Sequence, residues 1–173
     1  MDVITRFLTT EDASKVLDLY RLIAVKPDAG FVRMEDEINH DYVTKSLGRG
    51  VSGGVAIGAF DRTNQKIVGA ITARKLGLKL FDHVLSGLVI GVHPDHRRQG
   101  IGRRLFLDFL EHIHTERPDI LRVELIARDS YQRQIEFYES VGFRREGTFE
   151  KRIRRADGTF EADVPMGWIK PEL

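Results

Sequence analysis

The chain has 173 residues, 42% hydrophobic and 31% charged, a size and balance suited to one domain with a buried core. Its formal net charge of +1 excludes a global field that would draw it to nucleic acid or a membrane surface. With no cysteine, disulfides, thiolate zinc sites and a cysteine acyl-enzyme are excluded as well.

The start, MDVITRFLTTEDA, lacks the basic segment and apolar core of a secretory signal, and no apolar run approaches the ~20 residues of a membrane helix. A cytoplasmic protein is expected, with residues 1–173 forming one domain.

Val3 to Leu8 reads as a short strand. Thr9 or Thr10 is suited to cap a helix from about Glu11, in which Ala13, Val16, Leu17, Leu19, Tyr20 and Ile23 make a broad apolar face. Pro27, Asp28, Ala29 and Gly30 interrupt it. A second, more polar helix is expected from about Met34 to Leu47, ended by Gly48. A strand from roughly Gly54 to Asp61, a turn through Asn64 and a returning strand from Lys66 to Leu76 form an antiparallel pair.

The fourth strand, about Val84 to Val92, runs into Pro94 and a basic, glycine-bearing turn of Arg97, Arg98, Gln99, Gly100, Ile101 and Gly102. From Ile101 the apolar residues switch to helical spacing (Ile101, Leu105, Phe106, Phe109, Leu110, Ile113), and the helix ends near Pro118. A strand feeding a helix through such a turn makes an anion site. First-turn amides are unpaired, the dipole end is positive, and glycine lets phosphate oxygens come close. A phosphorylated ligand is therefore expected. Leu105 occupies the third-glycine position of a dinucleotide fingerprint, and no Gly-Lys-Ser/Thr follows, so neither of those nucleotide loops is present.

Leu121 to Ala127 reads as a strand, and Tyr131 to Ser140 as a helix with Ile135, Phe137, Tyr138 and Val141 apolar and Gly142 suited to cap it. Phe143 to Arg154 and Thr159 to Ile169 read as a hairpin around Ala156, Asp157 and Gly158. The order β-α-α-β-β-β-α-β-α-β-β implies a single mixed α/β (α+β) domain of about seven strands and about four helices. His93 and His96 have no evident third ligand, so no metal is expected. His112 and His114 point in different directions and are expected to be solvated. Arg152, Arg154 and Arg155 read as a solvated hairpin tip, without the interleaved aromatics of a nucleic-acid platform.

Over nearly its whole length the chain resembles the GNAT superfamily of acetyl-CoA-dependent N-acetyltransferases. The resemblance rests on Val92-x-Pro94-x-x-Arg97-Arg98-x-Gly100-x-Gly102, similar to the family's pyrophosphate loop. It rests also on Ile135-x-Phe137-Tyr138 with Val141-Gly142-Phe143, and on the trailing Glu146-Gly147 and closing hairpin.

It implies a mostly antiparallel sheet, acetyl-CoA as co-substrate and no metal. The pyrophosphate would be held by the amides of about Arg98 to Arg103, including those of Gln99, Gly100, Ile101 and Gly102. The side chains of Arg97, Arg98, Arg103 and Arg104 would add charge. The pantetheine arm would follow Ile90, Gly91 and Val92, where the fourth and fifth strands splay at a bulge, and a backbone N–H near Ile90 or Val92 would meet the thioester oxygen. Tyr138 is the implied general acid. Its ordinary pKa of about 10 keeps it protonated at neutral pH.

The chain departs from the family at two places. Tyr131 and Gln134 stand where the family carries Asn-x-x-Ala, leaving Asp129 or Ser130 as candidate replacements for the Asn. The fourth strand has no carboxylate, so Glu124, Glu35, Glu37, His83 or a water chain are candidates for the general base. The implied acceptor is an amine on a small molecule or a peptide or protein amino terminus, with no nucleic-acid or membrane partner and a homodimer as the candidate assembly. The segment from Lys26 to Gly53 should line the acceptor side. Its Arg33, Glu35, Asp36, Glu37 and Asp41 favour a polar, cationic acceptor. The alternatives are a catalytically idle acyl-CoA-binding or regulatory module, and an RNA-binding domain using the HRRQGIGRR cluster, which would lose affinity steeply with salt.

Overall fold

The computed structural model describes residues 2–25, 33–155 and 157–172, and the backbone alone at 49–51. The expected interruption at 27–30 and Ala156 of the hairpin tip lie outside the described residues.

Eight strands and four α-helices are present among the described residues. The strands are β1 (Val3–Phe7), β2 (Val55–Asp61), β3 (Ile67–Lys75), β4 (Val84–Val92), β5 (Arg122–Arg128), β6 (Arg144–Arg145), β7 (Phe149–Arg154) and β8 (Phe160–Ile169). The helices are α1 (Ala13–Ala24), α2 (His40–Val51), α3 (Ile101–Glu116) and α4 (Gln132–Ser140). The sheet runs β1-β2-β3-β4-β5-β8-β6, with β7 also paired to β8. Every pairing is antiparallel except β4 with β5, which α3 joins as the crossover a parallel pair needs.

The extra strand arises because the expected strand from Phe143 to Arg154 is broken at Gly147, where φ is +157°. Its two pieces, β6 and β7, share one edge of β8. The second helix starts later than the spacing suggests. Asn39 caps it by accepting the Tyr42 N–H at 2.9 Å, and residues 35–37 form a separate 3-10 turn. Gly48 does not end it; the helix runs on to Val51. Thr9 precedes a 3-10 turn that leads to Asp12 at the N-cap position of α1, where its carboxylate accepts the Thr9 N–H and pairs with Arg6 instead of capping the helix.

The helices cover opposite faces of the sheet. On one face, Ile101, Leu105, Phe106 and Phe109 of α3 and Ile135 and Tyr138 of α4 pack with Val123, Leu125 and Ala127 of β5 and Val164, Met166 and Trp168 of β8. On the other, α1 and α2 bury Val16, Tyr20, Ile23, Val43 and Leu47 against Ala56, Phe60 and Ala70. Phe106 is the hub of the first core. Its ring lies 5.4–6.2 Å from those of Phe109, Phe137, Tyr138 and Phe143, within the range of favourable aromatic pairs. His112, expected in solvent, is half-buried with its ring edge-on to Phe7 at 4.8 Å, and burial lowers its pKa. Among the described residues no helix is long and apolar enough to cross a membrane.

Phe106→Ala is expected to destabilise the protein by about 3–5 kcal/mol, since a fully buried ring leaves a cavity bounded by four other rings. Chemical denaturation should show a lower midpoint at an unchanged slope.

Candidate functional site

β4 and β5 pair only at Val84 with Arg122 and Leu85 with Val123, and then separate. The cause lies on the β3 side of β4. Thr72 faces Val89 but Arg74 faces Ser86, so Gly87 and Leu88 together stand opposite Ala73. This is a β-bulge, and it bends the strand. Gly87 accommodates it at φ +61°, a conformation costly for other residues. The bulge thus sits at Gly87–Leu88, one turn of the pleat earlier than the Ile90–Val92 position expected from the resemblance.

Beyond the bulge the hydrogen-bond phase decides which amides face the opening. The His93 N–H donates to the Val68 carbonyl at 2.9 Å. Antiparallel partners exchange bonds at every second pair, so Gly91–Ala70 and Val89–Thr72 are the next bonded pairs inward. Ile90 and Val92 therefore direct their N–H and C=O groups away from β3, towards the space between β4 and β5. In keeping with this, the Arg97 Nε reaches the Val92 carbonyl at 3.5 Å.

The chain then enters the basic turn. Pro94–His96 is a 3-10 turn, Arg98 has φ +61°, and Gly100 caps α3 in the left-handed region at φ +80°. The Arg104 N–H makes the first helical bond, to the Gly100 carbonyl at 2.9 Å. The amides of Arg98, Gln99, Gly100, Ile101, Gly102 and Arg103 have no protein acceptor among the described residues. They form an array of donors at the positive end of a helix, able to hold a polyphosphate. Of the four arginines expected to add charge, Arg104 is committed to Asp108 at 2.8 Å and Arg97 lies back on Val92. Arg98 and Arg103 are exposed.

A cavity of about 970 Å³ occupies the opening between β4 and β5 and spreads over the α2 side of the sheet. Leu88, Val89 and Ile90 line one wall, and Leu125, Ile126, Ala127 and Arg128 the other. Tyr138 reaches it from α4, on the far side of the sheet. The Tyr138 ring is 9% exposed, and burial pushes its pKa up to about 12. Tyr131 lies at the N-cap of α4 and also lines the cavity, with the Arg128 guanidinium 5.6 Å from its ring centre.

The sequence-based candidates for a general base fare differently. Glu37 lines the cavity, with its carboxylate accepting the Met34 N–H at 2.9 Å. Glu124 is bound to the Arg122 Nε at 2.8 Å, and Glu124, Glu35 and His83 are not among the lining residues. Ser130, a candidate for the missing Asn contact, instead donates its hydroxyl to Glu161. In the cavity, Glu37 and Asp41 of the α2 segment stand with Arg33, Lys45, Arg74, Arg128 and Arg152, so its lining is of mixed charge.

The hairpin tip is also not simply solvated. Arg155 pairs with Glu161 at 3.0 Å and Arg152 with Asp163 at 3.2 Å, and both carboxylates are buried. Asp163 lines the cavity and was not visible from the sequence. Its strand alternates in step with the core residues Val164, Met166 and Trp168, so Glu161 and Asp163 read as solvent-facing positions. The arginines of β7 and its turn, with Ser130 on Glu161 and Arg128 beside Asp163, take them out of solvent.

The acetyltransferase (GNAT) domain model matches residues 53–145. No curated protein matches the chain. Among solved structures it is similar to a GNAT-family acetyltransferase from Streptococcus pneumoniae, with TM-score 0.84 and 20% identity over 97% of this chain and 99% of that one. It is also similar to the ribosomal-protein-alanine N-acetyltransferase of Brucella melitensis, with TM-score 0.81 and 20% identity over 96% and 99% of the two chains. A third similar structure, YncA from Salmonella typhimurium, contains its cofactor acetyl-CoA (TM-score 0.81, 15% identity, 100% and 96% covered). At these identities the likeness is one of fold.

Replacing Arg98 and Arg103 together by Ala is expected to weaken CoA binding about tenfold, the sum of two exposed charge contacts. Calorimetric titration at low and high salt checks it, because the loss should shrink as salt screens the charges.

Proposed function

The chain belongs to the GNAT acetyltransferase family, and from that premise we propose that it transfers acetyl from acetyl-CoA directly to a primary amine in a ternary complex. The acceptor is a polar small molecule or a peptide or protein amino terminus. One observation carries the reading. Ile90 and the buried Tyr138 line one opening in the sheet, and the strand that carries the inward-facing Ile90 and Val92 amides runs on into the unpaired amides at the start of α3.

Bound acetyl-CoA supplies a thioester whose carbonyl carbon is the electrophile. The amides from Arg98 to Arg103 anchor its phosphates, with Arg98 and Arg103 adding charge. Ile90, Gly91 and Val92 hold the extended arm as a neighbouring strand would. The Ile90 N–H donates to the carbonyl oxygen as it gains negative charge, and one preorganised donor of this kind is worth about 3 kcal/mol. Tyr138 gives its proton to the sulfur as the C–S bond breaks and recovers one from the nitrogen that has formed the new C–N bond. Burial favours this role, because a phenol pushed up to about 12 is fully protonated at neutral pH. With no cysteine in the chain, a thiol acyl-enzyme has no nucleophile, which favours direct transfer.

Tyr138→Phe is expected to lower kcat by a factor of about 10² to 10⁴ while CoA binding is unchanged. Thiol release from acetyl-CoA, screened against amino acids, polyamines, aminoglycosides and short peptides, measures the rate. A wild-type protein that binds CoA yet releases no thiol with any of them would instead be an acyl-CoA-binding module.

A further inference from the structure

The acetyl-transfer reading leaves one role without an owner: something must take the proton that keeps the acceptor amine from attacking. We propose that Asp163 fills it, binding the acceptor's ammonium group and removing its proton. The proposal rests on that reading and adds a catalytic residue to it.

The placement of Asp163 carries the argument. It stands on β8 opposite Arg128 of β5, at the far wall of the cavity that Tyr138 enters from the other side of the sheet. It is 6% exposed, and it lines the cavity while Val164, next along the strand, faces the α3 core. A carboxylate this buried needs a partner, and β7 supplies it through an irregularity. Phe149 faces Asp163 and Ile153 faces Glu161, so residues 150–152 bulge opposite a single residue of β8, with Lys151 at φ +52°. Within that bulge the Arg152 Nε reaches the Asp163 carboxylate at 3.2 Å, while its guanidinium rests 4.7 Å from the Phe149 ring centre. Arg152 is half-exposed where Asp163 is buried, so it covers the acid from the solvent side.

The surrounding charges set the proton affinity of Asp163. Burial raises its pKa, Arg152 of β7 and Arg128 of β5 lower it, and Glu161 along β8 raises it; the net shift is upward. Glu161 itself stays ionised, because although burial pushes it up, hydrogen bonds from Ser130 and Arg155 hold it below its ordinary value. An upward shift narrows the gap between carboxyl and ammonium, which eases proton transfer.

The step balances. One ammonium proton passes to Asp163 and on to solvent, and the freed nitrogen lone pair forms the C–N bond. The C–S bond breaks, Tyr138 protonates the sulfur, and the second nitrogen proton restores Tyr138. The products are the amide, free CoA thiol and one proton.

Asp163→Asn, close to isosteric, is expected to lower kcat/KM at neutral pH by about 10² or more with the best acceptor of the amine panel, leaving CoA titration unchanged. In the wild type the acidic limb of kcat/KM should report Asp163, and Arg152→Gln should move that limb up by about one pH unit or more, since a neighbouring cation is lost. Carboxylate NMR of the ligand-free protein should show one aspartate titrating above the usual range, absent in Asp163→Asn and higher still in Arg152→Gln. If Asp163→Asn turns over within threefold of wild type, or the limb and the NMR titration ignore Arg152→Gln, the assignment is overturned while acetyl transfer stands. Should Asp163→Asn fail to bind CoA, the Arg152→Gln limb decides. A wild type that releases no thiol with any amine overturns the transfer reading itself.

Discussion

β4 and β5 are the parallel neighbours of this sheet, and they remain bonded for two residue pairs before diverging. Backbone amides deprived of a partner strand carry a free-energy cost unless water or a ligand satisfies them. Here that cost is localised by a two-residue bulge at Gly87–Leu88, while β5 stays bonded along its whole length to β8. The sheet remains cohesive on both sides of a slot. An extended ligand with its own amides can enter that slot as a surrogate strand, the same bonding logic by which peptides add to sheet edges. The cavity, the inward amides of Ile90 and Val92 and the access of Tyr138 all follow from this one separation.

The two faces of the sheet give the slot different chemical ends. α3 and α4 present an aromatic interior, and Tyr138 arrives wrapped by Phe106, Phe137 and Phe143. The α2 face presents charges: Arg33 on the Tyr42 ring, Lys45 bound to Asp41, Arg152 bound to Asp163. Desolvation acts on both ends with related results. It keeps the phenol from losing its proton, and it makes the carboxylate readier to gain one.

Much of this was legible in the sequence. The switch from strand to helical spacing at Ile101 located the start of α3 and the span of β4. The glycines with their arginines led to the expectation of an anion site, at a helix end whose first amides have no protein acceptor among the described residues. Tyr138 could be singled out because it sits in a short pattern with Gly142 and Phe143. The charged wall of the cavity was far less legible. Asp163 and Arg152 are brought together by a bulge and a strand break at Gly147, neither of which has a hydrophobic period to betray it. Side-chain commitments were equally hidden: nothing in the order of residues says that Arg104 is claimed by Asp108, that Ser130 is claimed by Glu161, or that His112 lies against Phe7 from the opposite end of the sheet. Long-range pairings of polar groups follow from packing, and packing follows from apolar residues elsewhere.

The slot's lining also divides by the elements that supply it. The residues that match the family run from 53 to 145, which takes in β2 to β6 with α3 and α4, the part of the chain that carries the Gly100 turn and Tyr138. The elements that lean over the α2 side, α1, α2 and the β7–β8 hairpin, lie outside that range. Of these, α2 and the β7–β8 hairpin line the slot, through side chains such as Tyr42, Lys45, Arg152 and Asp163, and the hairpin edge of β8 carries a bulge and a break. The turn at Gly100 and the bulge at Gly87 belong to other elements, the start of α3 and β4. The slot is therefore built by two sets of elements, so substitutions on α2 and the hairpin reshape its lining while the backbone of the Gly87 bulge and the Gly100 turn keeps its own geometry.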